Sequence, residues 1–487
     1  MSIPLTYNVS ASLSAGITKV AEPNPNIVCL MTNEPNSFTK DVGDFFNASD
    51  IGKFWGVDSV TYQMANQVFG QTPGILAGGG FVKVVKMDNT TDGTVATIKT
   101  VDLSSKIDAF KAVTDGALTF SINGNVKKSV FIDLSSVNTV TDIAEILELK
   151  AFGYSVSGDN DTGEITFSTK IAGSAVTFIN VAAESGTDLA DATLLDLTAA
   201  TETAGTDPTG ETIPEVLVRL DGKEFFHGII TTKVMTPEEK NTTAEAIMGQ
   251  PYLFYPDIAG DVDARIVGEN VVGKSLWNTR LTSNLGEDIL TAKKIAAGAV
   301  SKMFSGNPNM SNTALTMDNK IISGVLGNDK IGTTELAELI ERGVDVYVKR
   351  NETLSTLITG NANKYTDVAY LSNLIPMMMV TNVFNTFLTD TKVPQEQAGR
   401  DRLRNAVAKV LDKLVRSGWL AQGETWNGET FGNDAEFRAS IELNGYYIYI
   451  VPETTQADRE KRKALIQVAC KASGAYHGAQ INITVEE

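Results

Sequence analysis

Two residue types that carry much of soluble-protein chemistry are nearly missing: 487 residues include two cysteines and two histidines. Cys29 and Cys470 lie too far apart in sequence for a metal or redox motif, so two free thiols in a reducing compartment are expected. His227 and His477 stand alone, without a His-Glu-x-x-His pair, and no serine occupies a Gly-x-Ser-x-Gly elbow. A triad assembled from distant residues stays open, with only those two histidines to supply it. Basic excess is missing too. The net charge of −18 argues against a nucleic-acid groove. The most apolar stretch, Leu374 to Leu388, is short and interrupted by Asn382 and Asn385, so direct membrane insertion is not expected. Met1-Ser2-Ile3-Pro4-Leu5 has no basic region leading into an apolar run, and no export signal is expected.

What is present is the composition of a globular chain, 42% hydrophobic and 21% charged, long enough for several domains. Acidic residues crowd Asp102 to Glu215, whereas the signs balance from Lys392 onward. Leu5 to Leu13 alternates as a strand does, without a hairpin partner in view. Asn26 to Thr32 and Phe81 to Met87 read as buried strands, and Ser59 to Phe69 as a helix closed by Gly70. From Asn89 to about Thr212 the texture turns rich in Thr, Asp, Ser and Gly. Within it, Asn123-Gly124 between two apolar runs predicts a hairpin. Thr139 to Leu149 predicts a helix with Thr141 as N-cap, and Thr198 to Thr212 reads as a linker. This stretch is expected to be a small α+β insertion hung on two flexible joints. Afterwards Thr236-Pro237-Glu238-Glu239 is a capping box, Thr334 to Arg342 a helix stopped by Gly343, and Val344, Val346 and Val348 alternate in a strand. Helix, glycine, strand and helix recur, the pattern of an α/β layer.

Gly268-Glu269-Asn270-Val271-Val272-Gly273-Lys274-Ser275 fits the phosphate-loop spacing, with Ala264 to Val267 as a short strand before it. A P-loop nucleotide-binding protein is therefore one reading. Glu269 inside the loop opposes it, as does the lack of an amphipathic helix after Leu276; a surface loop is the other reading. Asp261 and Asp263 are spaced like metal ligands but lack a third, Gly78 to Gly80 reads as close backbone packing, and Met377 to Met379 as core filling. No cofactor, metal or catalytic constellation is assigned, and the chain is not expected to be an enzyme.

The last hundred residues are the most informative. Val393-Pro394 and Gly399 lead into a helix from Arg400 to Ser417, with Leu403, Val407, Val410, Leu411 and Leu414 on one face and Arg402, Lys409, Lys413 and Arg416 on the other. Then come the aromatic strand Tyr446 to Val451, the charged string Ala457 to Arg462, and alternation from Gln480 to Val485. In this order, with Thr334 to Tyr347 ahead of them and the insertion near Ala117 to Ile179, these motifs resemble contractile-tail sheath proteins of phages. The resemblance implies an α+β and α/β multidomain fold with terminal strand-exchange arms. It places an N-terminal arm at 1–20, a discontinuous middle domain at 21–95 and 213–365, an outward-facing acidic insertion at 96–212, and a C-terminal domain at 366–487 with its arm at 472–487. It implies a structural subunit that stacks as hexameric rings around a tail tube and contracts to drive the tube through a host envelope. Partners would be further copies of itself, the tube protein, and baseplate and terminator proteins, but no nucleic acid. The subunit would belong to the virion tail and be assembled in the host cytoplasm. The inter-subunit strands would carry Leu5, Tyr7, Val9, Ile481, Ile483 and Val485; candidates for tube contact are Lys409, Lys413, Arg416, Arg459, Lys461 and Arg462. A tube protein, or a sheath or tube subunit of a related bacterial injection machine, are the structural alternatives.

Overall fold

A computed structural model describes residues 20–91, 93–151, 153–360 and 364–477. The described chain divides into two units, one of residues 25–307, 315–369 and 477, the other of 20–24, 308–314 and 370–476.

In the larger unit β1 (Ile27–Thr32) is buried along its whole length, as a strand covered on both faces must be. After β2 (Val42–Phe45), α1 (Ala48–Trp55) and α2 (Val60–Phe69) are capped by the Asn47 and Ser59 side chains. They lead to β3 (Phe81–Lys86). The expected glycine packing is real: a Cβ at Gly80 would stand 1.9 Å from the Asn26 carbonyl oxygen, and one at Gly78 2.1 Å from that of Phe304.

The insertion then runs through β4 (Asn89–Thr91), β5 (Val95–Lys99), α3 (Ile107–Lys111), β6 (Gly116–Ile122), β7 (Asn125–Ile132) and α4 (Val140–Lys150). It ends with β8 (Tyr154–Asp159), β9 (Glu164–Ala172), β10 (Phe178–Val181), β11 (Thr187–Asp188), β12 (Thr201–Thr203) and β13 (Thr209–Gly210). The predicted hairpin forms, with φ of 51° at Asn123 and 80° at Gly124, the pair of positive values that a two-residue turn of this hand requires. Two sheets, β10-β6-β11 with β7 on β6, and β12-β5-β9-β8, enclose a core in which Phe120 meets Tyr154, Phe167 and Phe178 at 4.8–5.1 Å. The N-cap of α4 is Thr139 and not Thr141. A capping box needs an acid three residues on; Asp142 stands there for Thr139, whereas Thr141 has Ala144. The expected linker is instead paired chain: β12 lies on β5, β13 on β4, and Thr94 bridges Thr206. A third tie holds the hairpin tip, where Lys127 Nζ meets the Asp58 carboxylate at 2.8 Å and Asn123 Nδ2 donates to the Asp58 carbonyl at 2.8 Å.

The chain returns through α5 (Ile213–Leu220), β14 (Gly228–Thr231), α6 (Pro237–Ile247), β15 (Leu253–Phe254), α7 (Gly260–Gly273) and β16 (Leu281–Ser283). It continues through α8 (Ile289–Met303), α9 (Thr333–Glu341), β17 (Val344–Lys349) and β18 (Ser355–Ile358). The main sheet has the order β15-β14-β1-β3-β2, parallel except at the β2 edge. A second sheet, β16-β17-β18, continues it through parallel bridges Phe254–Thr279 and Asp257–Thr282. The fold is thus mixed α and β, an α/β layer interrupted by an α+β insertion.

The smaller unit contains most of α10 (Thr366–Thr389), then α11 (Gln397–Arg416), α12 (Asp434–Asn444), β19 (Tyr446–Val451), α13 (Gln456–Lys461) and β20 (Leu465–Cys470). Of Met377 to Met379 on α10, only Met378 is fully buried, so the cluster fills less core than expected. Cys29 and Cys470 are both free thiols. Among the described residues no helix is long and apolar enough to cross a membrane.

His227 is a core residue. Its Nδ1–H donates to the Pro25 carbonyl at 3.0 Å and its ring stacks on Phe304. Burial lowers its pKa to about 4, the Pro25 carbonyl pulling the other way. The unfolded ring therefore takes a proton that the folded one refuses, and this contribution to stability is lost as pH falls from about 6.5 toward 4. Asp345 has the opposite sign: burial raises it to about 6 despite Arg280, so it adds stability as pH falls below that value. His227→Gln should remove the first term alone. Relative to the unsubstituted chain, the variant should gain about 2 kcal/mol of stability between pH 7 and pH 5. Thermal unfolding at both pH values measures this, and parallel curves would count against it.

Candidate assembly interface

The ribbon β19–β20 in the smaller unit is unusual in what surrounds it. β19 pairs with β20 over its whole length, Tyr446 opposite Cys470 through Val451 opposite Leu465. Along β19, Tyr447, Ile448 and Ile450 are buried and Tyr446, Tyr449 and Val451 half-buried, so neither face is free. One face meets α11, where the Tyr446 hydroxyl donates to Asp412 at 2.7 Å. The other carries Tyr447 and Tyr449 into a cluster with Phe437 and Ile441 of α12 and the Trp426 and Phe431 side chains. Antiparallel sheets commonly leave one face to water, whereas β19 is covered on both. Here the sheet has two strands. Among the described residues, the outer edges of both lack a strand partner, apart from a bridge of Leu420 to Ala472 just beyond β20.

The supporting helix α11 follows the expected pattern: Leu403, Val407, Val410, Leu411 and Leu414 are all buried. Gly399 lets its first turn cross the Pro394 carbonyl, which a Cβ would meet at 1.8 Å. β20 had no counterpart in the sequence reading, and its Leu-Ile-Gln-Val-Ala-Cys run does not alternate.

The six basic candidates do not form one patch. Lys409 is exposed beside a 330 Å³ cavity lined also by Val20, Glu22, Asn382 and Asn385. Lys413 is engaged, its Nζ 2.6 Å from Glu22. Burial pushes the Glu22 carboxyl up, and Lys413 with Asn382 outweighs this to leave it lowered. Arg416 is exposed in the last turn of α11, where a cation suits the helix dipole. Arg459 and Lys461 lie on α13, with Arg462 as its C-cap; all three are exposed, and Lys461 pairs with Asp458 at 3.0 Å. That helix is the connection between β19 and β20, and it sits by the start of α11, where Gln395 donates to the Arg459 carbonyl. The two groups thus lie at opposite ends of α11. Leu5, Tyr7, Val9, Ile481, Ile483 and Val485 lie outside the described residues. His477 accepts or donates at Thr316 Oγ1, 3.2 Å away, and packs its edge on Tyr365.

The phosphate-loop reading is overturned, and so is the surface-loop reading of the same residues. Gly268 to Gly273 form the second half of α7, and Ala264 to Val267 are helical as well. Their amides are consumed by the helix: Lys274 N–H donates to Asn270 O and Ser275 N–H to Val272 O. Gly268 serves packing, since a Cβ there would stand 2.7 Å from the Arg342 carbonyl. Lys274 pairs with Glu245. Asp261 pairs with Arg265 and Asp263 with Lys240, and among the described residues no cluster suits a metal ion.

The crevice at the carboxyl end of β1, where parallel α/β sheets commonly hold ligands, is filled by the chain itself. The buried Glu34 carboxylate accepts from the amides of Val60 at 2.9 Å and Thr61 at 2.7 Å, and from the Thr61 hydroxyl. It occupies the N-terminus of α2 as a bound anion would. Burial raises its pKa, the Thr61 contacts pulling it down.

Two family models match the chain. One, E217 tail sheath protein gp31-like, C-terminal domain, covers residues 362–485. The other, E217 tail sheath protein gp31, insert domain, covers residues 93–206. No curated protein matches. Among solved structures, a chain of the anti-feeding prophage baseplate is similar at 14% identity and a TM-score of 0.40, over 58% of this chain and 76% of that one. A chain of the PVC sheath complex, an extracellular contractile injection system in its contracted state, is similar at 14% identity and a TM-score of 0.37, over 54% and 72%. Likeness this loose carries no argument; the family matches do.

With the amides of 268–275 tied up in α7, Lys274→Ala should leave calorimetric titration with ATP and Mg²⁺ as flat as for the unsubstituted chain. Heat that Lys274→Ala abolishes would restore the nucleotide reading.

Proposed function

We propose that this chain, which carries the insert and C-terminal domains of the E217 gp31-like tail sheath family, is the structural subunit of a contractile phage tail sheath. In this reading it stacks as hexameric rings around an inner tube, and contraction of the stack drives the tube through the host envelope. It acts mechanically and catalyses no reaction. It is a component of the virion tail, assembled in the host cytoplasm, and meets the tube, baseplate and terminator proteins.

The observation that carries this reading is the two-stranded ribbon, whose β19 is packed on both faces and whose outer edges have no partner strand among the described residues. Such a ribbon accepts strands from other chains, which satisfy its unpaired backbone groups by β-augmentation. The segments proposed to supply them are residues 1–20 and 472–487, with Leu5, Tyr7 and Val9, and Ile481, Ile483 and Val485, as the alternating side chains. A head-to-tail contact that does not close builds a helix of subunits. The insertion, acidic and tied down at the Asp58 contact, is proposed to face outward. For the tube contact, the exposed Lys409 and Arg416 and the α13 set of Arg459, Lys461 and Arg462 are the better candidates, because Lys413 is half-buried against Glu22 whereas Lys461 stays exposed in its pair with Asp458.

Deleting residues from Ala479 onward should leave a folded, soluble subunit that cannot form long tubes. Negative-stain microscopy should find wide hollow cylinders or stacked rings for the full chain and none for the truncation. Normal polymerisation of the truncated chain would refute strand exchange, and narrow tubes from the full chain would point to a tube protein.

A further inference from the structure

We propose that in the unassembled subunit the chain's own N-terminal segment, residues 1–19, covers an apolar stripe on the far half of α10. The inference goes beyond the sheath reading and does not depend on it.

The far half of α10 is inside out. Its polar side faces its own unit: Asn382 Nδ2 donates to Glu22 at 2.8 Å, and Asn385, Thr386 and Thr389 line the cavity shared with Ala406 and Lys409 of α11. At about 100° per residue, Val380, Phe384, Phe387 and Leu388 fall on the opposite side. They are 69%, 52%, 52% and 48% exposed. Earlier in the same helix this side is covered, with Tyr370 buried against Trp419 at 5.0 Å. Two phenylalanines, a valine and a leucine at this spacing form the stripe a helix normally buries.

Three observations choose the occupant. First, Val20 is clamped to this helix: its N–H donates to Asn385 Oδ1 at 2.7 Å, and its carbonyl accepts from Asn385 Nδ2 at 2.8 Å. The preceding residues therefore start one position away from Phe384. Second, the reach suffices. A helix with side chains is about 10–12 Å across, so half its circumference takes roughly five or six extended residues. Third, the chemistry fits. Residues 1–18 contain no charged side chain, and Ile3, Leu5, Tyr7, Val9, Leu13 and Ile17 supply apolar surface. A tethered segment also acts at millimolar effective concentration, which favours it over a second copy in dilute solution.

The test places the photo-crosslinker p-benzoylphenylalanine at Phe384 in the full chain, irradiates at nanomolar concentration and maps the product by peptide mass spectrometry. A monomer-sized product joined to residues 3–17 is expected. A dimer-sized product, or no more crosslinking than from the exposed Leu149 position, would overturn the proposal. As a second reading, a chain lacking residues 2–15 should bind more of a hydrophobic dye than the full chain. Adding Phe384→Ser and Phe387→Ser to the truncation should abolish that gain. Equal dye binding by the full and truncated chains would also overturn it. Neither measurement requires tube formation, so a chain that never polymerises still gives an answer, and the two proposals can fail separately.

Discussion

A backbone amide or carbonyl must have a partner, and among the described residues the ribbon of β19 and β20 has no strand pairing beyond that of the two with each other, apart from the Leu420–Ala472 bridge beyond β20. Its faces are already committed, to α11 through Tyr446 and to α12 through Tyr447. Growth is therefore possible in one direction, sideways. A two-stranded ribbon is marginal by itself, and the helices on both faces hold it in a geometry that suits a wider sheet. The smaller unit is thus built around a sheet that this chain, in its described residues, does not finish.

The larger unit contrasts with it. Its interior charges are answered from within: Lys293 meets Asp257 at 2.8 Å, and the fully buried Arg280 lies 3.7 Å from Asp345 and donates to the Lys364 carbonyl. The crevice of its parallel sheet holds Glu34 against the start of α2. A buried ion pair adds little net stability, yet losing one partner is costly, so such pairs tie their elements into one arrangement. A stiff body with its crevice filled suits a mechanical part, and the insertion, held through paired strands and Asp58, is stiffened in the same way.

Local chemistry was legible wherever a few adjacent residues decide the geometry. Asn123-Gly124 set its turn, and Thr236 with Glu239 set the start of α6, because each rests on contacts within four residues. The family resemblance, read from the order of motifs, is borne out by the two domain matches. Misreadings arose where distant contacts overrule local texture. The Gly268-to-Ser275 spacing matches a phosphate loop, yet Gly268 to Gly273 continue α7, and the missing Cβ at Gly268 leaves room for the Arg342 carbonyl. Thr198 to Thr212 has the composition of a linker, yet β12 and β13 within it pair with β5 and β4, contacts more than a hundred residues away that composition does not show. β20 was missed because a strand touched on both faces need not alternate. The bare side of α10 is not legible in the sequence because the helix as a whole is apolar with little asymmetry between its sides.

Energetics bear on why the proposed arms need side chains as well as backbone. A strand added to one edge gains net roughly 0.5–1.5 kcal/mol per hydrogen bond. Ordering the arm costs about 1–2 kcal/mol per residue in backbone entropy alone. A short arm held by its backbone would break even at best. The surplus has to come from apolar burial, at about 25 cal/mol per Å². In the proposed arms, the alternation of Leu5, Tyr7 and Val9 and of Ile481, Ile483 and Val485 would supply that burial. It also follows that each junction is a small difference between larger opposing quantities. A lattice of such junctions can be stable as a whole while each one stays weak enough to rearrange, which is the balance that the proposed contraction would require.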